Sequence, residues 1–200
     1  MRTLFDPSLV DAERMYALLT ASVVPRPIAW VSTRGADGST NLAPYSFFTV
    51  ASTDPPVVQF TSVTRKDSLR NIEESGEFVV NLATASLIDR VNASSAVFDA
   101  DVSEFDAVGL TPEPSDSVRP PRVAESPVAI ECGLHRVIAV GNSFVVMGAV
   151  RAISVRTDAL AEDGLPDFAA IAPVSRLGRA EWGLPPRVRV LQRPGRPQPS

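Results

Sequence analysis

Of the 19 basic residues in this chain, one is a lysine, Lys66, and 18 are arginines. It stands in Thr61-Ser62-Val63-Thr64-Arg65-Lys66-Asp67-Ser68, where an apolar run gives way to a helical pattern. Lysine is a compact, mobile point charge, whereas arginine is a planar fork. With Asp67 as N-cap and Ser68 in the first turn, the segment reads as the start of a helix. Unpaired N–H groups and partial positive charge make such an end attractive to anions. Arg65 and Lys66 add cations, and Thr64 and Ser68 add hydroxyl donors. The chemistry would be the holding of a phosphate monoester. The same residues also fit an ordinary capped helix with solvated basic side chains.

A second stretch, Asn41-Leu42-Ala43-Pro44-Tyr45-Ser46-Phe47-Phe48, reads as a strand with a fault in it. Pro44 cannot donate to a ladder, and Asn41 and Ser46 place polar groups beside aromatic ones. A flat heteroaromatic ligand needs exposed backbone with amide and hydroxyl groups at its polar edge, and an interrupted strand offers both. Equally, such a proline marks an edge strand or a bulge with no ligand. The interruption predicts that ladder hydrogen bonding lapses near Pro44, and that the gap opens onto a pocket.

Other residues carry less chemistry. Trp30, in an apolar strand, reads as core, and Cys132 as a small buried hydrophobe. The chain has one histidine, His135, with no triad partner in view, so hydrolysis by a Ser-His-Asp device is not expected. One cysteine and one histidine also rule out a disulfide framework and an ordinary zinc site. Neither a GxGxxG nor a P-loop occurs.

These segments need a scaffold. Residues 8–20 predict a helix capped by Ser8 or Asp11, with Leu9, Tyr16 and Leu19 facing inward. Residues 28–50 predict a hairpin turning at 35–38, with 41–50 as its return strand. A strand follows at 57–62, then a helix at 68–75 ended by Gly76, then a strand at 78–82. Residues 87–98 and 103–108 read as short helices. Five prolines make 111–127 a long irregular excursion. Val128–Val140 and Ser143–Val155 form two long β runs joined at Gly141-Asn142. The expected fold is mainly β, an antiparallel barrel with a few short flanking helices. Residues 1–182 are expected to be one domain, and 183–200 a Pro/Arg-rich tail, flexible at its end.

Composition sets outer bounds. In 200 residues the net charge is -4, so the electrostatic footprint of a nucleic-acid binder is missing. No apolar run approaches a membrane span, and the N-terminal residues resemble no signal peptide. A cytoplasmic protein is expected.

Taken in order, the segments resemble the flavin reductase-like, FMN-binding split-barrel family. The matches are RPIAWVST at 26–33, GSTNLAPYSFF at 38–48, DPP at 54–56, KDSLRNI at 66–72 and GEFVVNL at 76–82. They continue with SEFDAVGLTP at 103–112, SPVAIEC at 126–132, VVMG at 145–148 and PVSRLG at 173–178. The resemblance implies an antiparallel split β-barrel of Greek-key type that forms a homodimer and binds FMN near the interface. It implies that 41–47, including Asn41, Ala43, Pro44, Tyr45, Ser46 and Phe47, lies along the isoalloxazine. It places the ribityl phosphate at Thr61, Ser62, Arg65, Lys66, Asp67 and Ser68, and Arg176 near the cofactor. The implied activity is hydride transfer from NADH or NADPH to the flavin, with a partner oxygenase or redox protein as possible recipient. The chain departs from the family at Gly141-Asn142-Ser143, where many reductases carry a histidine that helps bind the nicotinamide. Three readings follow: an NAD(P)H-dependent flavin reductase, an FMN electron carrier reduced by a partner protein, and a β-barrel binding protein without flavin.

Overall fold

A computed structural model describes residues 1–98 and 102–193. The chain opens with helix α1 (Ala12–Ser22), capped by the Asp11 carboxylate on the Arg14 N–H (2.7 Å). Strands β1 (Arg26–Pro27), β2 (Ala29–Arg34), β3 (Thr40–Tyr45), β4 (Phe48–Thr53) and β5 (Pro56–Val63) follow. Helix α2 (Asp67–Ser75) leads into β6 (Glu77–Leu82), and a 3-10 turn at Ala85–Leu87 into α3 (Ile88–Ala93). After α4 (Glu104–Ala107) come the short strands β7 (Pro112–Glu113) and β8 (Arg122–Val123). The long hairpin is β9 (Val128–Val140) and β10 (Ser143–Val155), with the boundaries expected. Another 3-10 turn, Thr157–Ala159, precedes α5 (Phe168–Ile171), β11 (Ser175–Arg176) and β12 (Trp182–Gly183).

Seven strands form one antiparallel sheet in the order β3-β2-β6-β9-β10-β5-β4. The two edge strands, β3 and β4, are consecutive in sequence and joined by Ser46-Phe47. The sheet must therefore curl until its edges meet there, and the hydrogen bond from Thr61 N–H to Phe47 O (2.9 Å) carries the β4–β5 pairing up to that junction. This is the split barrel, and it corrects the expectation of a single return strand over 41–50. A separate three-stranded sheet, β1-β11-β12, lies beside it.

Alternation along β2 explains the two cores. Side chains of successive residues point to opposite faces of a strand. Ala29 and Val31 enter the barrel with Tyr45, Phe60, Phe78, Cys132 and Val146. Trp30 points the other way, into a cluster with Leu42, Leu87, Val91, Phe105 and Val123. Both faces of β2 are covered, so it is buried from Ala29 to Thr33. The Phe60 and Phe78 rings meet edge to face at 5.6 Å. Gly148 passes so close to Phe78 that a Cβ would lie 2.3 Å from the ring.

α2 lays Leu69 and Ile72 on the core and stops at Gly76, whose φ of 71° is the left-handed form that glycine adopts at no steric cost. The expected cap shifts by one residue: Lys66 occupies the N-cap position and makes no side-chain cap, while Asp67 is the first helical residue and pairs with Arg70 (2.9 Å). α1 departs further. Leu9, Tyr16 and Leu19, expected inward, are exposed. The Tyr16 ring lies 6.5 Å from that of Phe47. The helices expected over 87–98 and 103–108 are shorter than their polar caps implied, ending at Ala93 and Ala107. Beyond Gly183 the described chain has no regular structure, and 194–200, where the tail was expected to be flexible, lie outside the described residues.

Candidate functional site

Three clefts meet at Pro44. The first, about 320 Å³, lies between β3, the start of α2 and the 94–98 segment, and includes Asn41, Tyr45, Lys66, Ser68 and Glu104. The second, about 160 Å³, adds Ser46, Asn92, Arg176 and Trp182. The third, about 150 Å³, adds Tyr16, Phe47 and Thr61 and returns to Lys66. Pro44 does not end the ladder with β2, because it pairs opposite Trp30 and the pairing runs on to Tyr45. Its position is tolerated because β3 is an edge strand, where a missing donor harms nothing. The lapse falls instead at Ser46-Phe47, and the open edge faces the clefts.

Polar groups in the first cleft are linked but not all satisfied. The Asn41 amide bridges two elements. With its nitrogen donating to Glu104 Oε1 (3.1 Å), its oxygen accepts from Ser68 Oγ (2.8 Å) and Leu42 N–H (3.2 Å). That orientation avoids setting the amide oxygen against a carboxylate. Glu104 Oε2 accepts from Leu42 N–H (3.1 Å). Burial, with Asp67 adding negative charge, raises the Glu104 pKa. The Tyr45 hydroxyl is buried with no hydrogen-bond partner. Burial raises its pKa as well, and the nearby hydroxyls of Ser68 and Ser62 act in the other direction. Lys66 makes no ion pair among the described residues.

The approach to Lys66 is held by a clamp. Thr64 has φ 67°, a left-handed conformation costly for a β-branched residue. Its N–H donates to Asn142 O (3.0 Å) at the tip of the β9–β10 hairpin, and its own carbonyl accepts from Ser62 Oγ (3.0 Å). Ser62 is thus fully buried beneath the loop and lines none of the three clefts. Arg65 borders the first cleft, but its guanidinium pairs with Glu73 and stacks on Phe144 at 5.2 Å. Of the two cations expected for phosphate, Lys66 alone is left uncommitted.

The structure therefore brings Asn41, Ala43, Pro44, Tyr45, Ser46, Phe47, Thr61, Arg65, Lys66, Asp67 and Ser68 around adjoining clefts, with Arg176 in the second. Sequence reasoning missed Glu104 as a site residue, and it named Thr64 as a hydroxyl donor without foreseeing its positive φ. Glu104 is not marked by any local pattern, and no residue-type rule predicts a threonine at positive φ. Other reactive types lie outside the three clefts. Cys132 is buried, which pushes its thiol pKa up to about 12, and His135 is exposed on β9 away from the clefts. Among the described residues no cluster could hold a metal ion, and no helix is long and apolar enough to cross a membrane.

Residues 21–169 match the flavin reductase like domain. The chain belongs to this family. A Deinococcus radiodurans protein of uncharacterized function is 41% identical over 188 residues, covering 88% of this chain and 82% of that one. Among solved structures, component B of nitrilotriacetate monooxygenase from Bacillus cereus superposes with a TM-score of 0.91 at 29% identity, covering 96% and 99% of the two chains. The 2-nitrobenzoate 2-nitroreductase of Pseudomonas fluorescens does so with 0.90 at 32%, covering 98% and 99%. In this flavin reductase-like chain, the trough around Pro44 is the concavity where strand edge and helix start come together.

Proposed function

We propose that the chain is a flavin-binding oxidoreductase that takes FMN in the trough around Pro44 and passes hydride from NADH or NADPH to it. One observation carries the reading: an open strand edge and an uncommitted lysine at a helix start share one trough. The residues present fit FMN. Lys66 and the first N–H groups of α2 would hold the phosphate, since these groups have no intrahelical partner. Thr61 adds a hydroxyl beside Lys66, and Asn41 and Ser68 offer amide and hydroxyl groups to the ribityl chain. The β3 edge from Ala43 to Ser46 offers backbone to a flat ring, and the partnerless Tyr45 hydroxyl is a buried group that a ligand could satisfy. Flavin bound there would supply the redox chemistry, while the protein supplies position and electrostatics. Pro44, Val97 and Phe98 would keep water from its apolar faces.

We infer a homodimer as well. Leu19, Val23, Pro25, Pro27, Phe47 and Phe48 line an open, mainly apolar groove of about 500 Å³. Together with the outward face of α1, it offers apolar area to a second copy. A partner oxygenase is a reading supported by the similar protein named as component B of a monooxygenase.

An electron carrier without nicotinamide chemistry is the second reading. The tip Gly141-Asn142-Ser143 favours it, because it carries no histidine and its Asn142 carbonyl is occupied by Thr64. Anaerobic addition of NADH or NADPH to the FMN-loaded protein separates the two. Bleaching of the flavin bands on a catalytic time supports the reductase. Lasting yellow colour, with bleaching by dithionite, supports the carrier.

A further inference from the structure

Two arginines face each other across the small sheet beside the trough. Arg26 and Arg176 are directly paired partners of β1 and β11, and Trp182 of β12 is directly opposite Arg176. Directly opposed residues carry their side chains on one face, so like charges there cost stability unless something offsets them. Here no carboxylate of the described residues does so. Arg26 is 7% exposed, and its donors go to neutral acceptors: the carbonyls of Thr20, Val23 (2.9 Å) and Leu177 (2.9 Å), and Ser46 Oγ (3.4 Å). Burial and the charge of Arg176 both lower the Arg26 pKa, with Tyr16 partly opposing. The nearest acid in sequence, Glu181, pairs with Arg179 instead (3.7 Å).

Arg176 is open to a ligand. Its guanidinium lies 4.8 Å from the centre of the Trp182 ring, and among the described residues its one hydrogen bond is to Arg179 O (3.1 Å). An arginine offers five N–H donors in a fork that matches a carboxylate. The group borders the 160 Å³ cleft, whose other polar lining is neutral: Ser46, Asn92 and Ser95. The first cleft, by contrast, carries Asp67 and Glu104. That cleft also carries Arg65 and Lys66, so its charges are mixed, whereas the second cleft presents a single positive group among neutral ones. The volume is that of a one-ring molecule, and the indole presents an aromatic surface at its wall.

We propose that Arg176 and Trp182 form a binding site for a small planar carboxylate, beside the trough and distinct from the phosphate-binding start of α2. Arg176 holds the carboxylate in bidentate fashion, Arg26 supplies a second positive charge behind it, and Trp182 flanks the ring. The site needs no flavin to exist, so it stands apart from the reading above.

The test is a fluorescence titration of the flavin-free protein with benzoate, with benzamide as the neutral isostere. Trp30 is fully buried, and Trp182 supplies the responsive signal, a point checked with Trp182→Phe. Saturable quenching by benzoate is expected, with benzamide at least tenfold weaker and Arg176→Gln at least tenfold weaker for benzoate. Saturating FMN is expected to leave benzoate affinity within threefold. Equal binding of benzoate and benzamide by the unaltered protein overturns the proposal, whatever the variant does. So does Arg176→Gln that keeps full benzoate affinity. One-for-one displacement of benzoate by FMN also overturns it, since both arginines would then belong to the flavin site. A protein that takes up no FMN yet discriminates benzoate from benzamide leaves this site standing and removes the flavin reading alone.

Discussion

Glu131 and Glu104 are both carboxylates drawn out of water, and the fold treats them in opposite ways. Glu131, fully buried on β9, accepts from Asp116 N–H (2.9 Å), Ser117 N–H (2.6 Å) and Ser117 Oγ (2.6 Å), with Arg122 at 3.6 Å. Arg122 also binds Glu113 and Asp116, so the 111–127 excursion is tied to the sheet by a network in which each charge is met. Glu104 has an amide and one N–H but no cation, and Asp67 adds like charge. Around it the Tyr45 hydroxyl has no partner, Thr64 is strained and Lys66 is uncommitted. A closed network fixes a loop. An unbalanced one is what a site awaiting a ligand looks like, because the missing partners are the ligand's.

Breaking the closed network should have the largest effect. Glu131→Ala strands three donors and part of an arginine, so a loss of about 3–5 kcal/mol in urea unfolding is expected. Flavin affinity of the folded fraction should stay unchanged. A cost below about 1 kcal/mol would show that the network contributes little and would undo the contrast.

On the open side, Lys66→Ala should leave flavin-free stability within about 0.5 kcal/mol, as for a surface change. It should weaken FMN binding about 10- to 100-fold, the worth of one charged hydrogen bond, with riboflavin affected less than twofold. Equal losses for both ligands in calorimetric titration would detach Lys66 from the phosphate.

Removing a polar atom that has no partner should do the reverse of what polar deletions usually do. Tyr45→Phe is expected to stabilise the flavin-free protein by about 1 kcal/mol, read as a higher urea midpoint. A lower midpoint would mean that the hydroxyl already has a partner and that this part of the trough is closed.

Glu104→Gln sharpens the comparison through pH. The pKa of Glu104 is raised in the folded chain above its ordinary value of 4.5. The folded form therefore keeps a proton that the unfolded form gives up, and this stabilisation, complete below 4.5, is lost as pH rises through the folded value. The variant should match the unaltered chain at pH 4 and gain a few degrees in Tm on it as pH rises toward neutrality. A gap that does not change with pH would contradict the assignment.

Much of the scaffold was legible because its signals are local. The hairpin at 128–155 declares itself by alternation on both sides of Gly141-Asn142, and α2 by Leu69, Ile72 and the stop at Gly76. The outward turn of Leu9, Tyr16 and Leu19 was not legible, since periodicity shows which face of a helix is apolar but not what covers it. The division of 41–50 into two edge strands depends on barrel closure, a property of the whole sheet. Within the site, Pro44, Tyr45, Lys66 and Ser68 stood out by type. Ser62, expected at the phosphate, turns its hydroxyl to the Thr64 carbonyl beneath the loop. The opposition of Arg26 and Arg176 joins residues far apart in sequence, and no short-range pattern records it.

The central claim is that the trough recognises a flavin by its phosphate as well as its ring. Parallel titration of the flavin-free protein with FMN and riboflavin at fixed ionic strength tests it most directly. FMN binding at one per chain and at least tenfold tighter than riboflavin is the predicted result. Equal affinity for the two, or no binding of either, would contradict it.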